Sequence, residues 1–90
     1  MNAIDADLLA QLPLSEINKV TFYKRDEITT DLICCDVEMG GDIWPFHEEL
    51  VGWELLLDHL RELPGFRDDW SAAVSQPPFA TSETVAFSRH

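Results

Sequence analysis

Gly40 and Gly41 stand between two runs of alternating side chains, and this junction constrains the fold more than any other stretch of the sequence. Before it, Asp31 to Met39 puts Ile33, Cys35, Val37 and Met39 on one face of an extended chain and Leu32, Cys34, Asp36 and Glu38 on the other, because successive strand side chains point to opposite sides. After it, Asp42 to His47 reads as a returning strand. Two consecutive glycines accept the positive φ angles of a two-residue hairpin turn, so the two runs are expected to pair antiparallel. Pro45 has no N–H to give to a ladder, which places the returning strand at an edge or gives it a bulge.

The same reading extends to both sides of the hairpin. From Ile17, Val20 and Phe22 alternate with Thr21 and Tyr23, and Lys24-Arg25-Asp26-Glu27 marks the polar end of a first strand. Glu83 to Arg89 alternates again, with Val85 and Phe87 against Ala86 and Ser88, and forms a fourth strand. Leu50, Trp53, Leu56, Leu57 and Leu60 recur at three- and four-residue steps, the stripe of a helix that His47-Glu48-Glu49 leads into and Leu63-Pro64-Gly65 ends. A shorter helix is expected from near Asp68, with Phe66, Trp70, Ala73 and Val74 on one side and Pro77-Pro78 as its stop. A further short helix runs from Ala3 to Leu12, with Asn2 or Asp5 as its cap, within an N-terminal helical arm spanning residues 1–16.

The order is therefore α-β-β-β-α-α-β, an α+β fold with an antiparallel sheet of about four strands and helices packed on one face. Ninety residues hold one core, and no linker divides them, so residues 1–90 are expected to be a single domain. The second face of the sheet then needs an explanation. Tyr23, Leu32, Cys34, Trp44 and Phe46 are expected to project from it, too many large apolar groups for a plain solvated surface. Either the N-terminal helix covers them or a second copy of the chain does.

Charge acts mainly by exclusion. Seventeen acids against six bases give a net charge of −11, which repels phosphate backbones and anionic lipid surfaces and argues against direct nucleic-acid or membrane binding. The first residues lack the basic and apolar stretches of a signal peptide. The two cysteines are adjacent, which offers no disulfide framework and fits a reducing compartment, so the expected location is the cytoplasm.

Sites for chemistry are sparse. His47, Glu48, Glu49 and His59 are the best candidates for metal binding or acid–base work, since histidine and carboxylate together can hold zinc. Spacing argues against one shared site: His47 lies at a strand end while His59 falls nearly three helical turns beyond Leu50, about 14 Å along the axis, and Val51 occupies the position that H-E-x-x-H would give to its second histidine. The two acids suit the start of the helix instead. Cys34 and Cys35 lack the further ligands of a metal site and read as packing residues. Lys19 with Lys24 and Arg25 could meet an anion or acidic partner, or pair locally with Asp26, Glu27 or Asp31. No nucleophile elbow, phosphate loop or cofactor motif occurs. Trp53 and Trp70 fall on helix stripes and read as core, whereas Trp44, beside Pro45, reads as an interface residue.

Thr21-Phe22-Tyr23-Lys24-Arg25-Asp26-Glu27, Thr30-Asp31-Leu32-Ile33-Cys34-Cys35, Phe46-His47-Glu48-Glu49-Leu50 with Gly52-Trp53, and Leu63-Pro64-Gly65-Phe66 resemble short bacterial proteins of unknown function, over about residues 17–89 and including Pro77-Pro78-Phe79. The resemblance implies a bacterial source and carries no activity, hence no catalytic residue. Strands followed by a helix also resemble bacterial pleckstrin-homology-like domains, an alternative fold that would require a seven-stranded barrel. The leading expectation for function is a non-enzymatic interaction or assembly module acting as a homodimer, through the second sheet face or the edge bearing Trp44. The alternatives are an acidic mimic that blocks a basic partner protein and a small metal-dependent enzyme using His47 with Glu48 or Glu49.

Overall fold

A computed structural model describes residues 3–26, 31–74 and 83–89, with the side chains of Asp26 and Asp31 excepted. The elements run in the expected order: α1 (Ala6–Ala10), β1 (Ile17–Asp26), β2 (Asp31–Met39), β3 (Asp42–His47), α2 (Trp53–Leu60), α3 (Trp70–Val74) and β4 (Glu83–Ser88), with a single 3₁₀ turn at Leu14–Glu16 before β1. The four strands form one antiparallel sheet in the order β3-β2-β1-β4. It is an α+β fold whose described strands end at β3 on one side and β4 on the other, and these four do not make the seven-stranded barrel of the pleckstrin-homology-like alternative.

The hairpin forms as its glycines require. Gly40 and Gly41 have φ of 60° and 86°, and Met39 pairs with Asp42 across the turn. Pro45 lies in β3, an edge strand. One face of the sheet carries Val20 and Phe22 of β1, Cys35 and Val37 of β2, Phe46 of β3 and Phe87 of β4. These pack with Leu8 of α1, Leu56 and Leu60 of α2, and Trp70 and Val74 of α3 in one buried cluster. Phe22 is its hub: its ring stacks on Trp70 with centroids 3.7 Å apart and meets Trp53 and Phe66 edge-on, both at 6.3 Å. Trp53 and Trp70 thus pack into the core as expected.

Three local features depart from simple alternation. Asn18 is an extra residue between the pairs Ile17–Met39 and Lys19–Glu38, so Ile17 turns into the core while Lys19 turns away from it. Ala86 is an extra residue between Val85–Thr21 and Phe87–Val20, so Val85 and Phe87, expected on one face, take opposite faces. The third departure is the start of α2. The stripe suggested a helix entered directly from Glu48 and Glu49, but Val51 is held extended by a parallel bridge to Ala3, and its carbonyl accepts the Ile4 amide at 2.6 Å. Gly52, with φ of 90°, then turns the chain so that helix starts at Trp53.

The N-terminal arm docks on the core side. Asp5 is the cap of α1, its carboxylate accepting the Leu8 amide at 2.9 Å, as one of the two expected caps. Ile4, Leu8 and Leu12 are buried in the core cluster, so the arm covers the helix side of the sheet rather than its second face. At the other end of the chain, the Arg89 guanidinium donates to the carbonyls of Ile17 and Leu14, both at 3.0 Å, and ties β4 to the 3₁₀ turn.

Candidate functional site

The face turned away from the helices is built from three cross-strand rows. Ile43, Glu38, Lys19 and Ser88 form the first; Pro45, Asp36, Thr21 and Val85 the second; His47, Cys34, Tyr23 and Glu83 the third, with Leu32 and Arg25 paired beyond it. Directly opposed residues share a face, and their side chains stand about 5 Å apart at Cβ. Among the described residues, no helix packs over these rows. Ile43 and Val85, at opposite margins, are 59% and 40% exposed, while Thr21, Cys34 and Leu32 are buried between their neighbours.

Of the five residues expected on this face, Tyr23, Leu32 and Cys34 are there. Trp44 and Phe46 are not: they pair with Val37 and Cys35 and turn toward the helices. The hairpin already carried this information. A two-residue turn pairs Met39 with Asp42, and counting on by twos pairs Val37 with Trp44 and Cys35 with Phe46, so those pairs must share a face. Trp44 is half-buried against the core and is not the apolar anchor of the second face. In their place the face gains Pro45, Ile43, Val85 and His47, beside Asp36 and Glu38, which alternation along β2 already put there.

Alternation also divides the basic cluster. Lys24 lies on the helix side and is buried, whereas Lys19 and Arg25 share the second face with Tyr23. The ion pairs expected from Asp26, Glu27 and Asp31 involve side chains outside those described. Across the described part of the face, two bases (Lys19, Arg25) and three acids (Asp36, Glu38, Glu83) leave a net of −1, out of the chain's −11. The described part of the face is close to neutral in a strongly acidic molecule.

At its centre, the Tyr23 hydroxyl donates to Oδ1 of Asp36 across a long 3.4 Å. Burial, then the negative charge of Asp36, raises the Tyr23 phenol to about 12. Burial likewise raises the Asp36 carboxyl above its ordinary range; Tyr23 acts to lower it, and Glu38 and Glu83 add to the rise. The Cys34 thiol donates to the Leu32 carbonyl at 3.8 Å. On the other face, burial raises the Cys35 thiol far above its ordinary value, leaving it protonated and inert.

The expected metal and acid–base candidates are held apart. His47 lies in the third row opposite Cys34, and its buried Nδ1 has no hydrogen-bond partner. The Glu48 carboxylate accepts the Ile33 amide at 3.0 Å while the Glu48 amide donates to the Ile33 carbonyl at 3.0 Å, so Glu48 extends the sheet rather than starting α2. Glu49 is exposed, and the first-turn acid of α2 is Glu54. Nε2–H of His59 donates to the Leu12 carbonyl at 2.7 Å, fastening α2 to the end of the arm. Among the described residues, no three histidine, cysteine or acidic side chains gather as a metal site, and no pocket opens. No helix there is long and apolar enough to cross a membrane. Comparison with family models, curated proteins and solved structures gives no match.

Proposed function

We propose that the chain is a non-enzymatic association module and that a second copy of itself occupies the second face of the sheet. The observation that carries this reading is the charge distribution: the one face that no described helix covers is also the face where copies of an acidic chain repel least. Its Lys19 and Arg25 lie on β1, Glu38 on β2 and Glu83 on β4, so a two-fold arrangement can bring bases of one copy toward these acids of the other. Ile43, Pro45 and Val85 supply apolar surface around them. Trp44 and Phe46, given to the core, have no part in this contact. Sedimentation equilibrium at micromolar concentration tests the reading. A mass of about 20 kDa, twice the 10.2 kDa of one chain, is expected, and a monomer throughout would refute it.

A further inference from the structure

Asp36 occupies the second row of the proposed contact, between Pro45 and Thr21, with the Tyr23 hydroxyl beside it. The charged and titratable groups that share its face are Lys19, Tyr23 and Arg25 on β1, Cys34 and Glu38 on β2, His47 on β3 and Glu83 on β4. Asp36 is partly buried in the single chain, its one described hydrogen bond is long, and Lys19 stands in the neighbouring row opposite Glu38 rather than opposite Asp36. A second sheet laid on this face removes water from a carboxylate that the sheet already shields in part. The cost of burying a charge then falls on association, and neutralising the group relieves it.

We infer that Asp36 makes the association proton-linked, each protomer taking up a proton at this carboxyl as the two faces close. The inference rests on the dimer reading above and adds its regulation: association strengthens as pH falls. Burial and the neighbouring acids already raise this carboxyl in the single chain, in the direction the linkage requires. Fully coupled uptake changes the dissociation constant by about tenfold per pH unit for each proton bound.

General acidification also lessens the repulsion between two −11 chains, so the test must separate the two effects. Sedimentation equilibrium from about pH 8 down to about pH 5, in enough salt to screen distant charges, measures the dissociation constant of four proteins. The wild type tightens as pH falls. Asp36→Asn, which keeps an oxygen for Tyr23, is tight throughout and has lost most of the pH dependence. Glu54→Gln, which removes a charge from the helix side, keeps the wild-type slope. Tyr23→Phe removes the donor that favours ionised Asp36, so its pH dependence moves to higher pH. A dimer whose pH slope survives in Asp36→Asn, or is lost equally in Glu54→Gln, overturns the proton linkage and leaves the association reading standing. A monomer at every pH overturns both.

Discussion

Tyr23 is the only tyrosine in the chain, which makes it a reporter of the second face. In the folded protein its phenolate absorbance is expected to appear near pH 12, and after denaturation near the ordinary value of about 10. The folded chain therefore holds a proton that the unfolded chain releases. The stabilisation linked to it is complete below about pH 10 and is lost as pH rises through about 12. Asp36→Asn should lower the folded titration without restoring the ordinary value, because burial outweighs the Asp36 charge. A phenolate appearing near pH 10 in the native protein would contradict this environment. Period-two alternation was enough to place Tyr23, Leu32 and Cys34, since it needs only neighbouring residues. It could not reveal that Tyr23 leans on Asp36, because that contact depends on the register between two strands.

Element boundaries show where local pattern stops being informative. The bounds of β2 and β3 follow from alternation and the Gly40-Gly41 turn, and both were legible. The bulges at Asn18 and Ala86 were not, because an extra residue is tolerated only where the partner strand and the core beneath it decide the facing. The start of α2 was missed for a similar reason: its apolar stripe continues through Leu50, while the parallel bridge from Ala3, almost fifty residues earlier, holds Val51 extended. Gly52 is where these constraints meet. Any Cβ there would fall on the Ile4 carbonyl oxygen, well inside van der Waals contact, and the backbone is left-handed. Gly52→Ala should destabilise the protein by at least about 1–2 kcal/mol from backbone conformation alone, with more from displacing the arm. Denaturant unfolding measures the loss, and hydrogen exchange should quicken first at the amides of Ile4 and Leu8. An unchanged midpoint would mean that the arm does not dock against this turn.

For the molecule as a whole, the sequence supported the fold better than the site. The α+β order follows from a change of period between strands and helices, a signal repeated over many residues. The site depends on which strand lies opposite which, and that moved Trp44 and Phe46 into the core. The case for association changes accordingly: it now rests on a nearly neutral face that no described helix covers, with Asp36 at its middle, instead of on exposed aromatic rings. Two exposed apolar residues on opposite sides of the molecule distinguish this account from nonspecific stickiness. Val85 lies on the second face and Leu55 on a helix, 40% and 50% exposed. The most direct test measures the mass of Val85→Asp and Leu55→Asp beside the wild type by sedimentation equilibrium. The account predicts that the wild type and Leu55→Asp are dimers and that Val85→Asp is a monomer. A dimeric Val85→Asp with a monomeric Leu55→Asp would contradict it and place the contact on the helices.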